Sequence, residues 1–293
     1  MYQQESNEEL EMKFSFLTYQ FARYPLEYCF YMAKEYGFNG VEVWGARPHA
    51  YAYDMDNTMI RQVIDWKKKY GIEISMFTPE ILAYPYSLTS ASLKERQETN
   101  EYLIKSVEVA AAIGTDKMQI TAKHPGYGRD REEVWDVLTE GVGKLCKRAE
   151  ELGVDIILES LSPSEGNTIT NADDIVKLQK RVGSKALCTM IDVVPPFIAN
   201  EPYSEYFDKL NGTMKYVHIC NSDGATEFHM QLDDPKGVLP LIDFFRILKR
   251  NKYDGWCSTE LLAPYFRDPE LYLSQSMRAI EYICKEAQIV KEI

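Results

Sequence analysis

A single phrase recurs along this chain: an amphipathic, helix-like segment, a glycine or short turn, then a β-branched run whose far end is rich in polar residues. Six glycines punctuate it, in "KEYGFNGVEVW", "KKYGIEISMF", "AAIGTDKMQI", "EELGVDIILE", "KRVGSKALCTM" and "KLNGTMKYVHI". Glycine suits the left-handed position just past a helix end, so each one marks a helix that stops and a strand that follows. A last strand follows "NKYDG".

The phrase predicts strands near 13–18, 39–44, 72–78, 117–122, 154–160, 186–192, 214–220 and 255–262. Helices are expected near 25–36, 58–70, 91–113, 131–152, 171–182, 202–210, 240–251 and 269–287. Asn171 with Asp174 three residues on, Pro202, and Pro269 behind Asp268 are helix-start signals. Strict alternation implies a parallel sheet. Eight such units with no G-x-G-x-x-G turn after the first strand favour an α/β fold of the closed (β/α)8 TIM-barrel type over an open doubly wound sheet. The expected organisation is a polar N-terminal extension over 1–12 and one barrel domain over 13–293, with no second domain.

Composition removes several function classes. The net charge of -12, from 33 basic and 45 acidic residues, argues against nucleic acid or an anionic membrane surface as partner. The six cysteines are scattered without a C-x-x-C pair, which suggests reduced core thiols rather than a zinc knuckle or disulfide framework. The polar start "MYQQESNEELEM" has no apolar leader core, and no stretch is long enough to span a membrane. A cytoplasmic location is expected.

In a parallel βα barrel, chemistry collects at the C-terminal ends of the strands. Strand five, "VDIILES", runs through apolar residues straight into Glu159, and a carboxylate taken out of water costs several kcal/mol unless something meets it. Strand six ends in Asp192, strand seven carries His218 and strand eight carries Glu260. One such residue is easily a helix cap or a hydrogen-bonded core histidine. Four at equivalent positions on consecutive strands point to a shared divalent cation, which removes the desolvation problem for all three carboxylates at once. Three carboxylates and one imidazole, with room for water or substrate oxygens, suit octahedral Mn2+ first, with Mg2+, Co2+ or Zn2+ as alternatives. His49, His124 and His229 lie in loops on the same rim, as do Trp44, Tyr86 and other aromatics that could line a sugar-sized pocket.

Two carboxylates flanking a metal that binds adjacent oxygens of a hydroxy-ketone form an apparatus for moving the proton beside a carbonyl. Abstraction by Glu159 or Glu260 and return by the other on the opposite face of an enediolate would invert that carbon.

"ILES" with Glu165 six residues beyond Glu159, "MID", "VHICNSDG" and "STEL" resemble the xylose-isomerase-like sugar isomerase and epimerase barrels over nearly the whole chain. "VEVWGARPHAYAYDM", "FTPEILAYPYS", "HPGY", "ANEPYSEYFDKL" and "NSDGATEFH" are most similar to the fructoselysine 3-epimerase branch, relatives of the tagatose and psicose 3-epimerases. The resemblance implies metal ligation by Glu159, Asp192, His218 and Glu260, with Glu159 and Glu260 as the acid/base pair and Glu165 on a substrate hydroxyl. Ketohexose 3-epimerases carry a histidine and an arginine where this chain has Pro195 and Gly224, which fits a sugar substituted at that end. Asp223 and Glu80 are candidates, by charge sign, to meet an amine there. The 230–239 loop departs from the family's Gly-rich pattern. The expected substrate is a small sugar or sugar amine, and association into a homo-oligomer is left open. Alternatives on the same site are aldose–ketose isomerisation, free ketohexose epimerisation and inosose dehydration. A phosphoester hydrolase sharing this barrel would carry more histidines than the four present, and a non-catalytic sugar-binding barrel would not need paired glutamates.

Overall fold

The computed structural model describes residues 11–210, 212–262 and 265–291. In chain order the elements are β1 (Glu11–Phe16), α1 (Leu26–Tyr36), β2 (Gly40–Gly45), α2 (Asn57–Tyr70), β3 (Glu73–Pro79), α3 (Leu93–Ile113), β4 (Lys117–Thr121) and α4 (Arg131–Leu152). There follow β5 (Asp155–Glu159), α5 (Ala172–Val182), β6 (Leu187–Asp192), α6 (Val194–Ile198), α7 (Tyr203–Leu210), β7 (Met214–Ile219), α8 (Leu241–Arg250), β8 (Trp256–Thr259), α9 (Pro269–Ala287) and β9 (Val290–Lys291).

The helix–glycine–strand phrase is realised as the sequence implies. Gly37, Gly71, Gly114, Gly153, Gly183 and Gly212 all take positive φ, between 67° and 84°. There the chain turns from helix to strand in a conformation that side chains with a Cβ avoid. The Asn171 side chain caps α5 by accepting from Asp174 N at 2.9 Å. Asp268 stands at the N-cap of α9 with Pro269 in its first turn, although the aspartate makes no side-chain cap bond.

Every strand pairing is parallel, in the order β2-β3-β4-β5-β6-β7-β8-β1-β9. The ring closes between β1 and β2: Asn39 N donates to Phe14 O, Phe14 N donates to Asn39 Oδ1, both at 2.9 Å, and Leu17 bridges Glu42. The main apolar core lies between this ring and the helices. A separate cluster joins Met76, Ile157, Cys188, Met190, Tyr216 and Trp256 from β3, β5, β6, β7 and β8. Residues of strands that are not neighbours meet this way only across the inside of a closed ring, so the barrel is filled rather than hollow. Strand β5 shows why the fold holds its acid in place. Ile156, Ile157 and Leu158 are all buried, each worth roughly 1.5–3 kcal/mol, and they anchor the strand behind Glu159.

Three boundaries differ from expectation. β1 begins at Glu11, inside the segment expected as an extension, because Glu11 and Met12 pair with Val290 and Lys291 of β9, a strand too short to show as a pattern. β8 ends at Thr259, so Glu260 lies one residue beyond it, still tied to the ladder by Glu260 N donating to Ile219 O at 3.3 Å. The loop after Asp192 contains the short helix α6, which starts with prolines where a missing N–H costs nothing. All six cysteines are buried free thiols. No helix among the described residues is long and apolar enough to cross a membrane.

Candidate metal centre and active site

Sheet register brings the four strand-end residues to one level. Asp192 of β6 pairs with His218 of β7, and His218 pairs with Ser258 of β8, two residues before Glu260. Glu159 closes β5 opposite Thr121. Ligand atoms of Glu159, Asp192, His218 and Glu260 consequently all lie within 4.8 Å of one another. His218 Nδ1 is 2.9 Å from Glu260 Oε2, 3.5 Å from Glu159 Oε1 and 3.7 Å from Asp192 Oδ2.

Three of these side chains are held from behind by a group that leaves one atom facing the centre. Asp192 Oδ1 accepts from Val194 N at 2.7 Å, whereas its buried Oδ2 has no hydrogen-bond partner. Glu159 Oε2 accepts from Gln119 Nε2 at 2.6 Å. His218 Nε2 lies 2.9 Å from Glu42 Oε2, and its Nδ1 makes no hydrogen bond of acceptable geometry. Glu42 is also bound by Tyr216 and Thr78, and Tyr216 OH lies within hydrogen-bond distance of Ser15 and Ser75, so a polar floor supports the imidazole. Orphaned buried atoms at the meeting point of three carboxylates and a ring nitrogen fit a divalent cation: buried charges are stable when paired or coordinated.

The electrostatics agree. Burial, then neighbouring Glu260 and Glu159, push the Asp192 carboxyl up to about 7 against the pull of His229 and His218. Burial also raises Glu159. Burial would lower His218, but Glu42, Glu260 and Glu159 together hold it well above the ordinary imidazole range. Glu260 goes the other way, its burial outweighed by His218 and His229.

Above the centre opens a cavity of about 250 Å³, lined by residues from β1 to β8 and the loops that follow them. Among the expected substrate contacts, Trp44, Glu165 and His229 line it. Trp44 Nε1 donates to Glu80 Oε2 at 3.0 Å, and its ring packs against Tyr19. His229, nearly fully buried, places Nδ1 3.3 Å from Glu260 Oε2 and Nε2 3.9 Å from Asp192 Oδ2. Burial and the nearby Glu227 and Glu159 push Glu165 up to about 8.

The other expected contacts lie elsewhere. His49 is buried behind Trp44; its ring nitrogens are taken by Thr18 Oγ1 and by the carbonyls of Phe21 and Tyr24, so it pins the β2 loop to the β1 loop. His124 is not on the cavity wall: its Nδ1 accepts from Gly126 N at 3.0 Å and its ring packs on Tyr127. Tyr86 stacks on Tyr102 at 4.0 Å and shares a hydrogen bond with Tyr51. Asp223 faces solvent with its carboxylate spent on Ala225, Thr226 and its own turn, which removes it as an amine partner. Glu80 lines the cavity, but both of its oxygens already accept, from Trp44 and from Ala83 N. The 230–239 loop is fastened by Asn221, whose Nδ2 donates to Leu232 O while Oδ1 accepts from Leu239 N, both at 3.0 Å.

Strand-end reading missed Glu42, Gln119 and Glu227. For Glu42 and Gln119 the signal was present: a charged or amide side chain inside "GVEVW" and "KMQIT" poses the same question as Glu159, a polar group in an apolar strand.

The fructoselysine 3-epimerase of Escherichia coli O157:H7 is 34% identical over 275 residues, 94% of this chain and 99% of that protein. D-psicose 3-epimerase from Clostridium cellulolyticum H10 superposes with a TM-score of 0.79 at 15% identity, covering 94% of this chain and 99% of its own. The 3-keto-D-glucoside 4-epimerase of E. coli does so at 0.78 and 16%, covering 94% and 100%. Residues 30–283 match one family throughout. The chain belongs to the xylose isomerase-like TIM barrel family.

Proposed function

We propose that the protein is a divalent-metal-dependent sugar 3-epimerase, inverting carbon 3 of a ketose or ketosamine of the fructoselysine type. The observation that carries this reading is the pairing of Glu159 and Glu260 across one buried centre, each within 3.5 Å of the same imidazole nitrogen. Sugar epimerases among the similar proteins support the reaction class.

Glu159, Asp192, His218 and Glu260 would hold the cation, with Mn2+ the first candidate for a set rich in carboxylates. When bound, such an ion supplies Lewis-acid polarisation of adjacent sugar oxygens. The protein's own residues do the rest. Glu159, anchored by Gln119, and Glu260, beside His218 and His229, come from strands on different sides of the centre. One removes the proton at carbon 3 and the other returns a proton to the opposite face of the sugar's enediolate. In the reverse reaction the roles exchange, so neither glutamate is dispensable. Tyr19, Trp44 and Leu17 form an apolar wall that excludes water from the exchanging proton. The reading places the protein in the cytoplasm, where six unpaired cysteines remain reduced.

The test is to incubate the Mn2+-loaded protein with fructoselysine, fructose and psicose and to resolve the products by NMR. Formation of the carbon-3 epimer supports the reading; conversion to an aldose or loss of water assigns a different reaction.

A further inference from the structure

Cys220 and His229 stand beside the four-residue centre without belonging to it. Cys220, fully buried, follows β7 directly, two residues beyond His218. The chain then doubles back: Asn221 N donates to Met230 O at 2.9 Å and Met230 N to Asn221 O at 2.7 Å, which returns His229 to the neighbourhood of Cys220. Asp192 closes the group from the end of β6. One ligand atom from each of Asp192, Cys220 and His229 lies within 4.8 Å of the others, and all three residues are buried.

Asp192 Oδ2 and both nitrogens of His229 lack a hydrogen-bond partner. The simplest account of His229 is an imidazolium among carboxylates. Burial would lower it, but Cys220, Asp192 and Glu260 hold it well above the ordinary imidazole range. Its ring is not seated as such an ion pair would be. Nδ1 is 3.3 Å from Glu260 Oε2 and Nε2 3.5 Å from Glu227 Oε1, yet neither contact has hydrogen-bond geometry. A charged N–H held that way in a dry site forgoes its strongest interaction. Surroundings that favour a proton on a buried imidazole also favour a metal ion on its lone pair, and here a thiol stands ready as a further ligand. Metal bonds of about 2.0–2.3 Å set tetrahedral ligand atoms about 3.3–3.8 Å apart, so the three side chains need only a small inward closure.

We propose that Asp192, Cys220 and His229 form a second metal site, which takes Zn2+ and shares Asp192 with the neighbouring centre. The two donor sets differ in kind. Three carboxylates and an imidazole suit a hard cation, whereas thiolate, imidazole and one carboxylate make a softer, three-ligand zinc set. Its fourth position opens on the cavity, which His229 lines, and is left to a water or a ligand oxygen. Burial holds the free thiol up at about 12, so binding exchanges the Cys220 proton, released to solvent, for a metal–sulfur bond with no change of oxidation state. The inference concerns which ions the chain holds and does not depend on which sugar it turns over.

The metal-free full chain is titrated with Zn2+ and with Co2+, its spectroscopic substitute. A thiolate ligand gives Co2+ an intense charge-transfer band in the near ultraviolet, and the neighbouring centre, which has no sulfur, is silent there. The wild type should show the band and take up a second equivalent of Zn2+. Cys220→Ser should lose the band and bind one equivalent fewer, with thermal melts confirming that it folds, and His229→Gln should lose the second equivalent as well. In Glu159→Gln, which removes a ligand of the first centre alone, the band should persist. Absence of the band from the wild type, or a band or second equivalent that survives in Cys220→Ser, overturns the site. Loss of the band in Glu159→Gln assigns the thiol to the first centre and overturns a separate site likewise. A band in a chain that takes up no Mn2+ upholds this site and removes the four-residue centre instead.

Discussion

His218 Nε2 lies 2.9 Å from Glu42 Oε2, and both side chains are fully buried. Glu42 also accepts from Tyr216 and Thr78, so Nε2–H donates to it, and Nδ1 is the nitrogen turned toward Glu159, Asp192 and Glu260. The nitrogen that would meet a cation is thus chosen by a residue on the far side of the barrel.

Replacing Glu42 by Gln should weaken divalent metal binding by about 10- to 100-fold, the usual effect of losing a partner behind a histidine ligand. Competition against a chelator of known affinity measures this. Unchanged affinity would show that the Glu42 contact does not orient the ring.

Glu260→Gln should lower turnover by a factor of at least about 10² through loss of one proton carrier. Sugar binding, followed by calorimetry, should be weakened far less. Full activity in that variant removes Glu260 from the acid/base pair.

Stripped of metal, the protein should lose thermal stability as pH rises from about 5 to 8. Glu165 moves from an ordinary value of 4.5 to about 8 on folding, and Asp192 from 3.8 to about 7, so in this window the folded state binds more protons than the unfolded one. Stability is then lost as pH rises and levels off above the folded values. His218 and His229, both raised, act in the same direction, while Glu260, lowered, is ionised in both states across this window and contributes no slope there. Melting curves at several pH values in chelator test the slope, and Glu165→Gln should flatten it. A melting temperature that climbs across the window contradicts the charge pattern described.

Asn221→Ala should cost about 1–3 kcal/mol, because it strips the donor and acceptor that fasten the 230–239 loop. Gly237→Ala should act on the same loop, since a Cβ there would lie 2.1 Å from Asn221 Cγ. Chemical denaturation measures both. Wild-type stability in either variant would mean that the loop is held by other contacts.

The helices and strands were legible because period and punctuation agree: six of the amphipathic stretches end at a glycine that turns left-handed, and the run that follows each is largely buried. The four clustered side chains, Glu159, Asp192, His218 and Glu260, were legible because the fold rule says where to look, at strand ends. That rule also hid Glu42, which lies in the middle of β2 and touches His218 rather than the cluster's centre. His49, Tyr86 and Asp223 show the opposite error. Loop residues were placed on the rim by chain position alone, yet whether a loop side chain faces the cavity depends on local bonds, such as those of His49 to Phe21 and Tyr24 or the turn that Asp223 closes. Glu227 gave no periodic signal; only the folded wall shows that its carboxylate is buried beside His229.

The most direct measurement of the central claim is the position of solvent deuterium. The Mn2+-loaded protein, incubated in D2O with a ketosamine or ketose, should place deuterium at carbon 3 of a product inverted at that carbon, and Glu260→Gln should not. Deuterium at carbon 1 or 2, with carbon 3 unexchanged, would contradict 3-epimerisation and assign the site to isomerisation.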